Sequence, residues 1–209
     1  IEAGLPAREI DSVMGTVDKL PQPVLDKERA NLLFGSETLS FESGELKVIH
    51  LPGHAPGHLC LYAPSGGHLF AGDFLLSHIT PNPFLEPDPD NPGCRLPSLQ
   101  QYIDGLDILE NMKVKVVWPG HGGVFNDYRS VIEAGREHHR KQWKRIKDVV
   151  NSRVCSCYQI SKQIYPRLRG WQVFMGISEI QAHLDYLVQK GELIGELNDG
   201  VMYYQRSER

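Results

Sequence analysis

Three short segments of this 209-residue chain each place one metal-ligand side chain in a Pro/Gly turn directly after an apolar run. They are Leu51-Pro52-Gly53-His54-Ala55-Pro56-Gly57-His58, Phe70-Ala71-Gly72-Asp73 and Trp118-Pro119-Gly120-His121-Gly122. Imidazole nitrogen and carboxylate oxygen bind zinc and similar borderline ions at roughly 2.0–2.2 Å, so such donors must converge within a few ångströms. Strand ends are good platforms for this, and the neighbouring glycines let the backbone turn sharply without side-chain obstruction. One histidine after a turn is more often a surface or core residue. Three separate strand ends, each with Gly beside His or Asp, point to hydrolysis by a metal-activated water.

The elements that must position these residues follow from periodicity. Between Ser40 and Phe74 the apolar pattern has period two, and Leu46–His50, Leu59–Tyr62 and His68–Ala71 read as strands separated by Pro/Gly turns. Residues 80–97, rich in Pro, Asn and Asp, read as one long loop. A helix is expected from Ser98, as its cap, to about Met112. Val114–Trp118 reads as the strand that delivers His121, after which Asn126 or Asp127 caps a long helix from Tyr128 to about Asn151. Leu5, Ile10, Val13, Met14 and Val17 recur at helical spacing, which predicts a helix from Leu5 to Leu20. Tyr62, Phe70 and Trp118 read as core.

After about Ser152 the grammar changes. A short helix over 157–165 and a second over Ser178 to Lys190, capped by Ser178 and ended by Gly191, precede two strands. Asn198-Asp199-Gly200 between those strands is a hairpin signal, because Asp-Gly accepts the positive φ of a tight turn. Helices followed by a hairpin read as a winged-helix module. Trp143 and Trp171 read as packing residues for it. The domain division drawn from this is 1–151 and 152–209.

Composition bounds the function. No apolar run approaches the roughly 20 residues of a membrane span, so no membrane partner is expected. Four cysteines, Cys60, Cys94, Cys155 and Cys157, do not make a disulfide framework in a chain of this size, which favours a reduced, cytoplasmic setting. The formal charge of −4 is uneven: residues 129–170 hold 11 Lys+Arg against 3 Asp+Glu, and residues 1–128 hold 8 against 17. A basic block of this kind is most often a solvated helix face, and less often a stripe that attracts phosphate.

The ordered motifs resemble those of the metallo-β-lactamase-fold hydrolases, and the loop from Ile79 to Pro83, the segment Ser98 to Leu109 and the terminal module are similar to the branch typified by lactamase-beta-like protein 2. The resemblance implies an α+β fold: the C-terminal part of an αββα sandwich, followed by a small winged-helix domain. It implies two divalent metal ions, zinc foremost, with manganese and iron also compatible. His54 would bind the first ion, His121 the second, and Asp73 would bridge both as the catalytic carboxylate. His78, Asn82 and Arg95 are candidates for substrate contact, and His58 reads as the start of a strand rather than a ligand. No segment matches the family's His-x-His-x-Asp-His motif, and the chain opens on Ile1 rather than Met. Residue 1 is therefore expected to fall inside a longer parent, and the chain alone is expected to bind metal weakly and hydrolyse little.

Two function classes follow. The first is a metal-dependent hydrolase of a small ester, thioester or phosphodiester, with RNA and a homo-oligomer partner both open. The second is a nucleic-acid-binding or RNA-processing protein using the basic helix and the winged helix. Helix 178–190 carries one Lys against Glu179 and Asp185, which argues against duplex recognition. A scaffold with a vestigial centre is disfavoured because decay would not spare one ligand at each of three strand ends.

Overall fold

The computed structural model describes residues 2–11, 30–151 and 153–207. It divides into two compact units. One runs from the first described residue of the central segment to His138. The other holds the described N-terminal residues together with everything from His139 onward.

The first unit is built on a five-stranded sheet, β1 (Thr38–Phe41), β2 (Gly44–His50), β3 (Leu59–Ala63), β4 (His68–Gly72) and β5 (Val116–Pro119), in that spatial order. The first three pairings are antiparallel and β4 with β5 is parallel. Strand β1 was not expected from the sequence. It forms because Phe41 and Gly44 close a two-residue turn that pairs Leu39 with Leu46. The parallel crossover from β4 to β5 passes through the 80–97 loop and helix α1 (Ser98–Glu110), and β5 leads into helix α2 (Tyr128–Val150).

Alternation along the strands decides which face is buried. Leu69 and Ala71 of β4, Cys60 of β3 and Val117 of β5 pack on Leu106, Leu109 and Ile132 of the two helices. Burial pushes the Cys60 thiol up to about 12, so it stays protonated and inert. Tyr62 packs against this core as expected. Phe70 and Trp118 do not: they pair across β4 and β5 on the opposite face, stacked at 6.1 Å and 42 % and 41 % exposed. Their position is a parity effect, since each sits one residue from a buried neighbour.

Helix α1 begins without a side-chain cap. The Ser98 hydroxyl donates instead to the Phe84 carbonyl at 2.8 Å and so tethers the long loop. Asp127 does cap α2, accepting from the Ser130 N–H at 3.2 Å.

In the second unit, β6 (Cys155–Ser156), α3 (Cys157–Ile164), α4 (Trp171–Gln189), β7 (Leu193–Asn198) and β8 (Val201–Arg206) enclose a second core with the end of α2. The sheet order is β6-β8-β7, all antiparallel. Asp199 at φ 48° and Gly200 at φ 77° make the two-residue turn, and Gly191 at φ 71° ends α4. Helix α4 starts seven residues earlier than expected, so Ser178 is a fully buried interior residue rather than a cap. Val173 and Ile177 carry the apolar stripe of Ile180, Leu184 and Leu187 back through that extra stretch. Trp143 stacks on Tyr186 at 4.9 Å and Trp171 on Phe174 at 4.8 Å. Ala3 and Leu5 join the same core, and residues 7–11 are helical. The remainder of the helix expected to Leu20 lies outside the described residues.

A reciprocal cap starts α3. The Ser156 side chain accepts from the Gln159 N–H at 3.3 Å, and the Gln159 side chain accepts from the Ser156 N–H at 2.9 Å. Ser156→Ala is expected to lower stability by about 1 kcal/mol and Ser156→Thr by much less. Urea unfolding followed by far-UV circular dichroism checks this, with an unchanged midpoint for Ser156→Ala counting against the cap.

Candidate metal centre

All four ligand-type residues of the turns meet at one edge of the five-stranded sheet, and the strand directions explain why. Strand β2 ends at His50 opposite the start of β3 at Leu59, and Gly72 at the end of β4 lies beside Pro119 at the end of β5. The turns that follow β2, β4 and β5 therefore open on the same side. The Gly120 N–H donates to the Gly72 carbonyl at 2.7 Å, which locks the last two turns together.

Asp73 stands between the two histidines. Its Oδ1 is 3.6 Å from His121 Nε2 and its Oδ2 is 4.0 Å from His54 Nε2. Both separations exceed hydrogen-bonding length. Two donors on one tetrahedral ion stand about 3.4 Å apart, close to both spacings. The carboxylate thus offers one oxygen to each imidazole. The donor set suits one ion held by His54 and Asp73 and another held by His121 and Asp73. The count stops there: among the described residues no group of three or more His, Cys, Asp or Glu side chains is placed around a single ion. A catalytic zinc usually has three protein ligands, so these residues by themselves fall one short for each ion.

His54 is oriented from behind. Its Nδ1 lies 2.9 Å from the Asn82 carbonyl, and the Phe84 N–H donates to the His54 carbonyl at 3.3 Å. An Nδ1–H donated to Asn82 leaves the Nε2 lone pair toward Asp73, the arrangement in which a second partner fixes the tautomer of a ligand histidine. The His54 ring also packs edge-on against Phe84 at 5.2 Å. Asn82 was expected to touch substrate; the structure gives its main chain the role of aligning His54. His78 packs edge-on against the His121 ring at 5.3 Å. Arg95 lies half-buried in a short antiparallel bridge with Pro87.

His58 is the residue that sequence reasoning undervalued. It lies just before β3, as expected, yet its Nε2 accepts from the Asp73 N–H at 3.2 Å. Its Nδ1 is buried with no hydrogen-bond partner among the described residues. Burial, and then the nearby His54, hold its pKa below the ordinary histidine value, so the neutral ring is favoured. The four-residue spacing from His54 was the available signal, since the turn bonds Leu51 N–H to His58 O and His58 N–H to Ala55 O fold that stretch back on itself.

Two glycines make the approach feasible. Gly72 has φ 50°, and a Cβ there would lie 2.8 Å from His58 Nε2. A Cβ on Gly120 would collide with Asp73 Oδ1. A side chain at Gly120 would displace the carboxylate, and one at Gly72 would displace the His58 ring.

The sequence profile of the Metallo-beta-lactamase superfamily matches residues 3–121, more than half of the chain. The chain belongs to that superfamily. It is similar to the Probable metallo-hydrolase YqjP of Bacillus subtilis, with 26% identity over 162 residues that cover 78% of this chain and 50% of the relative. It is also similar to thioesterase pkgB of Emericella nidulans, 25% identical over 122 residues, 58% of this chain and 32% of that protein. Among solved structures, a Beta-lactamase domain protein from Burkholderia ambifaria superposes with a TM-score of 0.86 at 26% identity, covering 98% of this chain and 59% of the other. The chain spans about half the length of YqjP and about a third of pkgB. No helix among the described residues is long and apolar enough to cross a membrane.

The basic block is partly neutralised within each unit of this superfamily member. Arg136 bonds Asp107 at 2.5 Å and Glu110 at 2.8 Å, and Lys147 bonds Glu192 at 2.7 Å. Arg145 donates to Gln142 and to the Ile164 carbonyl. Helix α4 buries Ile180, Gln181, His183 and Leu184. Nothing here favours the nucleic-acid reading.

His58→Ala is expected to weaken binding of cobalt(II), used as a zinc surrogate, by about 10-fold or more, the usual cost of losing an outer-shell partner. Gly120→Ala should do the same by moving the carboxylate. Titration followed by the visible d–d bands checks both, and affinities equal to wild type would refute the positioning described.

Proposed function

We propose that this chain carries one part of the active site of a metal-dependent hydrolase that cleaves an ester or thioester with a metal-activated water. The observation that carries the reading is the placement of His54 and His121 on opposite oxygens of Asp73. Bound divalent ions, zinc foremost, would supply an acidified water and polarise the carbonyl. His54 and His121 would each hold one ion and Asp73 both. In the overall reaction the water oxygen bonds to the carbonyl carbon, the C–O or C–S bond breaks, and the departing alcohol or thiol takes up a proton. The relative named metallo-hydrolase supports metal-dependent hydrolysis, and the one named thioesterase supports carbonyl chemistry over a phosphodiester.

In this proposal the remaining ligands come from a preceding His-x-His-x-Asp-His segment of a longer parent. A second sheet from that segment would cover the face bearing Phe70 and Trp118. The exposure of those two rings supports this, since large aromatic faces left to water are unfavourable. The relatives described as Beta-lactamase-like protein 2 homologs support the branch assignment. We read residues 152–209 as a winged helix on the strength of the β6-β8-β7 sheet and its helices, and keep residues 1–151 as the lactamase-like portion.

Zinc competition with a chromophoric chelator tests the reading on the chain itself. Binding should be weak, because each ion has two protein ligands. Combined His54→Ala, Asp73→Ala and His121→Ala substitution should abolish it. Zinc bound equally well by the triple variant would sink the proposal.

A further inference from the structure

Among the described residues, two sizeable cavities of the first unit lie at opposite ends of its sheet. The larger, near 600 Å³, is lined by Phe41, Phe70, Trp118 and the turns at Ser43 and Ser65. Those turns sit at the edge away from Asp73, and the cavity belongs to the exposed sheet face already discussed. The second, near 470 Å³, lies between the loop that follows Asp73 and helices α1 and α2. Leu75, Leu76, Ile79 and Val131 form much of its wall, with Tyr102 also lining it and Ala134 on α2. Its size falls in the usual range for small-molecule sites.

This second cavity adjoins the candidate centre through one side chain. His78 lines it and packs against the His121 ring. Among the described residues its walls contain no Lys, Arg, Asp or Glu. The polar side chains present are Ser77, His78, Thr80, His138 and Tyr102. A pocket of that make-up gives no fixed charge to a phosphate and would strand one that entered without a counter-ion. It rewards apolar surface instead.

Resting on the hydrolase reading above, we infer that this cavity seats the uncharged, apolar acyl group of the ester or thioester, with the carbonyl at its His78 end beside His121 and Asp73. Specificity then lies in acyl length and shape, read by the loop 75–80 and by α2. The leaving alcohol or thiol lies outside the cavity. Each further methylene seated in the pocket should tighten binding about fourfold until the cavity is full. Ala134 is exposed at the mouth, so a large side chain there narrows the opening without disturbing the core.

Photo-crosslinking tests this without requiring turnover. The probe is an octanoyl N-acetylcysteamine thioester with a diazirine on the acyl chain, and adducts are mapped by peptide mass spectrometry. Adducts are expected on peptides holding residues 75–80 and 131–138. Ala134→Trp should reduce them at least about tenfold, and unlabelled thioesters should compete with the stated length dependence. Adducts confined to the Phe41, Phe70 and Trp118 face, or untouched by Ala134→Trp, would overturn the inference. So would competition by a short RNA equal to that of the octanoyl thioester. The two proposals fail separately: wild-type protein that labels as expected but binds no zinc removes the hydrolase reading alone, and wild-type protein that binds zinc but gives no adducts on 75–80 and 131–138 removes the inference alone.

Discussion

The candidate centre depends on the parallel pairing of β4 with β5. Gly72 lies beside Pro119, and one hydrogen bond from the Gly120 N–H to the Gly72 carbonyl sets the two following turns side by side. That pairing places Asp73 3.6 Å from His121, although 47 residues, β5 among them, separate the two in sequence. A parallel pair cannot be closed by a short turn. The long crossover is therefore a requirement of the geometry, and the chain uses part of it to do further work at the same edge. Its loop supplies the Asn82 carbonyl behind His54, and the residues just past Asp73 wall the second cavity.

Around this pairing the three ligand-type side chains are held by their neighbours. His58 receives the Asp73 backbone, Asn82 receives the His54 ring, Gly120 leaves room for the Asp73 carboxylate and Gly72 for the His58 ring. The neutral state of His58, favoured by its burial, suits an acceptor of an N–H.

The sheet has two unlike faces. One is covered by α1 and α2 and holds a dense core of Leu51, Leu69, Leu106, Leu109 and Ile132. The other presents Phe70 and Trp118, and the indole N–H of Trp118 donates to His68 Nδ1 at 3.0 Å. The second unit has its own core and its own reciprocal cap at Ser156, so its packing is argued from separate residues.

Much of this was readable in the order of residues. Glycine beside His or Asp at three strand ends singled out three side chains that the structure brings together, period-two and short apolar runs located β2 to β4, and Asp199-Gly200 marked the last hairpin, because each signal is local and rests on backbone sterics. Strand parity was not readable at Phe70 and Trp118, since a short apolar run does not say which of its alternate residues meets the helices. Nor was the true start of α4, where tertiary burial of Val173 and Ile177 outweighed the attraction of Ser178 as a cap. The sequence by itself determined which donors the chain can offer and the turns that carry them. Only the tertiary structure decided their partners: Asp73 between His54 and His121, His58 on the Asp73 backbone, Asn82 on His54, and His78 between the centre and a cavity. Those relations are set by non-local strand pairing and crossover packing, which no local spacing encodes.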